Sequence, residues 1–311
     1  MPRLTDPDLH VAASAADYDA VLQRERVRRH WAVEQDLARA FGWTGRQRLV
    51  GWCTACRGPS RFEAKRAHVR GGSDGYRNSL RCERCRLPSR QRLAADLLFR
   101  PAAPGARVHA TEHATPSGRW LGTGPWAPTT SEFLGDGCAG GTVHGGVRHE
   151  DAMALSFADG SFAVQVSCDV LEHVPDHRRA LAESARVLSG DGVLVLTVPF
   201  AHRAAATVVR AVRDGDRVRH LLPPVFHADP LRRGGALVYR DFGWDLLDDV
   251  RAAGFAAVTI LVACCLQRAW LGHPNQCFVC WKTAPTDAPA DAPSIGHPGA
   301  ASLRDAAPHD R

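Results

Sequence analysis

The segment 177–200 constrains the fold more than any other part of the chain. Residues 177–188 place Ala180, Leu181, Ala185 and Leu188 on one helical face, and Asp176 stands where an N-cap belongs. Gly190-Asp191-Gly192 then turns the chain into the apolar run Val193–Val198. A strand apolar on both faces has to be covered on both sides, which is the condition of a parallel sheet flanked by helices. The compact apolar run Phe162–Ser167 precedes the helix, so the unit reads as strand, helix, strand.

The same alternation extends over 107–282. Val108–His113, Thr129–Leu134 and Val147–Asp151 read as short strands, and the last leads into a loop. A second helix, 244–253, carries Leu246, Leu247 and Val250, with Gly254 in the C-cap position. Val258–Val262 and Gln276–Trp281 form an expected closing pair of strands. Alternating elements of this kind predict an α/β, Rossmann-like, doubly wound and mostly parallel sheet.

Upstream the pattern differs. Residues 15–41 predict one helix, with Tyr18, Val21, Leu22, Val27, Trp31 and Leu37 as apolar positions, ended by Gly42 and Gly45. Pro101, Pro104 and Gly105 make a linker. The organisation expected is therefore an N-terminal helical region (1–45), a small cysteine-bearing ribbon (46–100), the α/β domain (105–282) and an Ala/Pro/Asp-rich tail (283–311) too poor in large apolar residues to fold.

Cys53-Thr-Ala-Cys56 and Cys82-Glu-Arg-Cys85 are two C-x-x-C turns separated by 25 residues. Each offers two thiolates from one tight loop, and two such turns complete a closed tetrahedral zinc site. The segment is too polar for four free thiols to be its core, and a hairpin around Gly71, Gly72 and Gly75 would join the halves of a zinc ribbon. Cys53, Cys56, Cys82 and Cys85 are the expected ligands of a structural Zn²⁺. Cys277 and Cys280 share the spacing but fall in a predicted strand, where positions three apart face opposite sides, so they read as core thiols.

No apolar run reaches the ~20 residues that span a bilayer, and MPRLTDPDLH has no signal-peptide core, which gives a soluble, cytoplasmic reading without a membrane partner. Residues 1–100 hold 20 Lys+Arg against 11 Asp+Glu, while the remainder holds 19 against 22. A basic first third invites a phosphorylated partner, but an arginine-rich helix solvated on one face explains it as well. A small molecule or glycan is preferred to nucleic acid as substrate.

The segment from Glu150 to Phe200, EDAMALSFADGSFAVQVSCDVLEHVPDHRRALAESARVLSGDGVLVLTVPF, resembles the class I S-adenosylmethionine-dependent methyltransferases of the type 11 kind, with their D-x-x-x-L-P-F and D-x-x-x-x-L-E-H-V patterns. The segment Asn78 to Arg90 resembles ribbons fused ahead of some of these domains. The resemblance implies S-adenosylmethionine as cofactor. It implies an adenine contact at Asp151 and places Asp169 to Val174 beneath the cofactor. It also implies a ribose-binding carboxylate at the end of the second strand, for which Glu132 is the candidate, and an acidic residue at the end of the first, matched by Glu112. Where the family has a glycine-rich first turn, this chain has Ala114-Thr115-Pro116-Ser117-Gly118. The later Gly135-Asp-Gly137-Cys-Ala-Gly140 lacks a following helix and reads as a loop.

Methyl transfer needs alignment more than a nucleophile from the protein. His227 and Asp229, in an insertion over 201–242, are the candidate bases, and His173 is placed where a base could stand but reads as architectural. Two functions follow: a methyltransferase acting on an O, N or C acceptor, or a degenerate methyltransferase fold that holds a partner with its ribbon and basic N-terminal region. The altered first turn favours the second; the block from Asp151 to Phe200 favours the first.

Overall fold

The computed structural model describes residues 6–41, 46–65, 74–98, 102–215 and 217–284. The glycine hairpin at 71–72 and the tail beyond 284 lie outside the described residues. In chain order, strand β1 (Leu9–Ala12) is followed by helices α1 (Ala15–Gln23) and α2 (Glu25–Phe41). Strands β2 (Arg46–Cys53) and β3 (Gly58–Lys65), helix α3 (Asp74–Ser79), strand β4 (Arg81–Cys82) and helix α4 (Ser89–Leu98) form the cysteine segment. Next come β5 (Arg107–Ala110), α5 (Pro116–Leu121), β6 (Ala127–Thr130), the hairpin β7 (Val143–His144) and β8 (Val147–Arg148), then β9 (Phe162–Cys168). A 3-10 turn at Leu171–His173 leads to α6 (His177–Val187) and β10 (Leu188–Thr197). The insertion carries β11 (Val208–Val209), β12 (Ala211–Asp214), β13 (Arg217–His220), β14 (Phe226–His227), β15 (Ala236–Leu237) and β16 (Arg240–Asp241). Helix α7 (Leu246–Ala252) and strands β17 (Ala257–Cys265) and β18 (Trp270–Trp281) close the described chain.

Seven strands form one sheet in the order β1-β17-β18-β10-β9-β5-β6. Strands β6, β5, β9 and β10 are mutually parallel, and β18 is antiparallel to both β10 and β17. The chain therefore steps outward from β5 to β6 and returns to β9 on the other side of β5, which makes a topological switch point between β5 and β9. Helices α1, α6 and α7 bury Tyr18, Leu181 and Leu247 on one face, and α4 and α5 bury Leu97, Leu98 and Leu121 on the other. Cys280 packs in the first of these cores and Cys277 in the second, as expected for strand positions three apart, and burial pushes both thiols up.

Asp176 caps α6 by accepting from the Arg179 N–H at 3.1 Å, and Gly254 takes φ +104° just past α7. Upstream the expectations need correction. The predicted helix over 15–41 is broken at Arg24, whose ψ of 134° swings the chain so that Val21 and Val27 both reach the sheet. Strand β1 pairs with β17 and so places residues of the expected helical region in the central sheet. Helix α4, within the expected ribbon, packs on the sheet. The strand expected over Thr129–Leu134 ends at Thr130, and beyond it a single parallel bridge, Glu132 to His149, stands at the sheet edge. No helix among the described residues is long and apolar enough to cross a membrane.

Candidate functional site

At the switch point a cavity of about 470 Å³ opens beyond the carboxyl ends of the parallel strands, where open α/β sheets bind ligands. Glu112 follows β5, Glu132 follows β6, Asp169 follows β9, and Asp151 follows the His149 bridge; all four line this cavity. His173 and Asp229 line it as well, while His227 stands behind His173 with its Nδ1 3.2 Å from His173 Nε2. The insertion forms the far wall through Arg213, Asp229, Arg232, Leu237 and Tyr239. It is fastened across the opening by the Arg213–Asp136 ion pair at 2.9 Å and by Arg232 over the Phe133 ring.

The first turn is built unlike a glycine loop. Thr115 caps α5, Pro116 sits in its first turn, and Gly118 is the one position where a glycine is required. A Cβ there would lie 2.5 Å from the His113 carbonyl oxygen and 2.6 Å from that of Glu112. The Glu132 carboxylate fixes the turn from the neighbouring strand: its Oε1 accepts from the N–H groups of His113 (2.9 Å) and Ala114 (2.8 Å). Asp151 accepts through Oδ1 from the Met153 N–H at 2.8 Å. In both residues the bonded oxygen orders the loop. Two carboxylates at adjacent strand ends, beside a tight turn, fit a ligand that donates from hydroxyl and amino groups, as S-adenosylmethionine does.

Asp169 has a different part. It takes φ +56°, a left-handed conformation costly for a residue with a Cβ, and receives the guanidinium of Arg90. Arg77 lies 3.9 Å away and the Thr197 hydroxyl donates to it at 3.3 Å. Burial raises its carboxyl, but Arg90 and Arg77 outweigh burial and hold it below the usual range. Both arginines come from the cysteine segment, on α4 and α3, so that segment is tied to the floor of the crevice. Sequence reasoning missed this, because nothing distinguishes these two among the many arginines of the first hundred residues.

Glu112 is buried, and its Oε2 accepts from the Ser117 hydroxyl at 2.7 Å. Burial is the chief cause that pushes its carboxyl up to about 8. A carboxyl raised above its unfolded value of 4.5 binds its proton more tightly in the folded chain. Its contribution to stability is thus complete below that value and is lost as pH rises toward about 8. Glu112→Gln should flatten the decline in stability across that window, read as the urea midpoint against pH. Parallel curves for the two proteins would contradict the assignment.

The four cysteines converge. Cys53 and Cys85 Sγ atoms lie 3.8 Å apart, and those of Cys56 and Cys82 lie 3.9 Å apart. A zinc ion with Zn–S bonds of ~2.3 Å at tetrahedral angles separates its ligands by about 3.8 Å, so the donor set fits that ion. Arg57 and Arg86, each directly after the second cysteine of its turn, both take positive φ, 50° and 65°. The two turns are thus built alike. Hydrogen bonds from Cys53, Cys85 and then Ser60 outweigh burial and favour the Cys82 thiolate. Arg92 is fully buried beside this cluster; it donates to the carbonyls of Leu80 (2.8 Å), Leu87 (3.0 Å) and Ala269, and no carboxylate pairs with it among the described residues.

The fold defines a doubly wound α/β protein with a cavity at its switch point. Residues 137–196 match the family model described as a methyltransferase domain, a stretch containing Glu150, Asp151, Asp169 and His173. No curated protein matches. Among solved structures, the chain is similar to the [4+2]-cyclase SpnF, at 16% identity over 61% of this chain and 78% of that one, with a TM-score of 0.35. It is similar to a putative sarcosine dimethylglycine methyltransferase from Galdieria sulphuraria (18% identity, 43% of this chain and 57% of that one, TM-score 0.30). A third likeness is to an S-adenosylmethionine-dependent methyltransferase from Mesorhizobium loti (20% identity, 53% and 83% covered, TM-score 0.33). The chain thus spans little more than half the length of the Galdieria protein.

Proposed function

We propose that this chain binds S-adenosylmethionine in the switch-point cavity and transfers its methyl group to a small-molecule acceptor held under the insertion. The observation that carries the reading is the meeting of Glu132 and Asp151 on one cavity, beyond adjacent strand ends, within or beside the stretch that matches the methyltransferase model. When bound, the cofactor supplies an electrophilic methyl group on a sulfonium, so the protein has to align and dehydrate rather than attack. Glu132 and Asp151 hold the ribose and adenine ends, and Glu112 with Ser117 forms the wall at the first turn. Asp169, neutralised by Arg90 and Arg77, shapes the floor. The insertion excludes water, with Asp229 at the wall as the candidate base for an acceptor proton. His227 stands behind His173, its Nδ1 3.2 Å from His173 Nε2.

Glu132→Ala and Asp151→Ala should each weaken S-adenosylmethionine binding by about 1–3 kcal/mol, through lost polar contacts. Calorimetric titration of each variant checks this, and unchanged affinity in both would remove them from the site. A structural zinc at Cys53, Cys56, Cys82 and Cys85 belongs to the same proposal. Four thiolates around Zn²⁺ leave a net negative centre, which supplies the countercharge that the buried Arg92 otherwise lacks.

The second reading, a partner-holding protein that has lost catalysis, is favoured by one observation: Pro116 and Thr115 stand where glycines would let the backbone approach the cofactor. The two readings separate on cofactor binding, since the second requires none.

A further inference from the structure

Beside the cavity lies a buried carboxylate that nothing so far accounts for. Glu172, in the 3-10 turn after β9, is 0% exposed, and neither of its side-chain oxygens has a hydrogen-bond partner. Leaving a charge in that state costs several kcal/mol unless a cation compensates it. Arg77 is near enough to respond to its charge, but it donates to the Val198 carbonyl at 3.4 Å and faces Asp169. Two imidazoles stand within ion-pairing distance of its carboxylate: Oε1 lies 3.7 Å from His173 Nε2 and 3.5 Å from His227 Nδ1.

The protonation of His173 follows from its other nitrogen. Nδ1 lies 2.8 Å from the Leu237 carbonyl oxygen, which can only accept, so Nδ1 carries the hydrogen and Nε2 presents a lone pair. A backbone carbonyl behind one ring nitrogen, with the other free, is how proteins orient a metal-binding histidine. His227 arrives from the insertion on β14, with its ring at 88° to that of His173 and Nδ1 3.2 Å from His173 Nε2. A simple hydrogen bond between the two rings would satisfy them. It would leave both Glu172 oxygens buried without a hydrogen bond, with only Oε1 at ion-pairing distance from the two rings.

We propose that Glu172, His173 and His227 bind a divalent transition-metal cation of the zinc class, at a second centre separate from the four cysteines. The three donor separations are 3.2, 3.5 and 3.7 Å. Bonds of ~2.0–2.1 Å at tetrahedral angles place ligands about 3.3–3.4 Å apart, so one ion reaches all three with little movement. Three protein ligands leave a fourth position, the pattern of a centre that takes a water or a ligand atom. The site is assembled only when the insertion folds back on the 3-10 turn, a docking held by the Tyr239 N–H donating to the Glu172 carbonyl at 2.8 Å. The His227 side chain is 39% exposed, which gives an ion a path in. This proposal does not depend on methyl transfer.

The test uses the full chain, saturated with Zn²⁺, desalted, treated with a mild chelator and then titrated with Co²⁺. Wild-type protein should bind one Co²⁺ per chain, with the visible d–d bands of a four-coordinate ion and no thiolate charge-transfer band. His227→Ala should bind none at this centre while keeping the metal held by the cysteines. Glu172→Gln, which preserves shape and removes charge, should weaken Co²⁺ binding at least tenfold with far-UV dichroism unchanged. Equal Co²⁺ stoichiometry and affinity in all three proteins would overturn the proposal. A thiolate band in wild type would do the same by locating the ion at the cysteines.

Discussion

Cys82→Ser is expected to remove one zinc per chain and to loosen both the cysteine segment and the crevice floor. Binding and folding energy are one quantity at such a centre, and apparent values of about 10–16 kcal/mol are known for structural zinc in small modules. The loss should travel because the segment is not a separate appendage. Its core includes Phe62, Tyr76, Leu80 and Leu87 together with Ala269 and Leu271, the latter on β18. Arg92 ties α4 to the Ala269 carbonyl, and α3 and α4 carry Arg77 and Arg90 to Asp169. Hydrogen exchange should therefore rise first over 46–65 and 76–98 and then at the loop after β9. Metal content equal to wild type, or exchange confined to residues 46–65, would contradict this coupling.

Asp169→Asn should destabilise the fold by about 3–5 kcal/mol, because it strands two buried guanidinium groups rather than merely deleting one contact. The side chains of Asp169, Arg90 and Arg77 are 14%, 17% and 17% exposed, so water offers little relief. Asparagine tolerates the left-handed backbone at this position better than most residues, so the change reads charge rather than strain. Combining it with Arg90→Gln should recover part of the loss, and the recovered part measures the coupling. Denaturant unfolding of the two single variants and the double variant checks the figure. A single-variant loss below about 1 kcal/mol would mean that Asp169 is solvated and unpaired in solution.

What the sequence disclosed depended on how local the cause was. Val193–Val198 and Phe162–Ser167 were legible as strands because apolar residues facing both sides need a parallel sheet, and Asp176 marked its helix because a cap is read within three residues. The opposite faces of Cys277 and Cys280 followed from strand geometry alone. The break at Arg24 was not legible, since it is set by where Val21 and Val27 must meet the sheet. The four residues of β1 carry too short a pattern to announce an edge strand. Glu132 and Asp151 could be nominated by position, but not the loop-ordering bonds that each makes with one oxygen. The convergence of Glu172, His173 and His227 joins residues 54 apart, and only the folded insertion creates it.

Isothermal titration of the wild-type chain with S-adenosylmethionine tests the central claim most directly. The crevice described here predicts saturable binding of one cofactor per chain, weakened in both Glu132→Ala and Asp151→Ala. No heat of binding at millimolar cofactor, from protein shown to be folded, would contradict it and leave the partner-holding reading in its place.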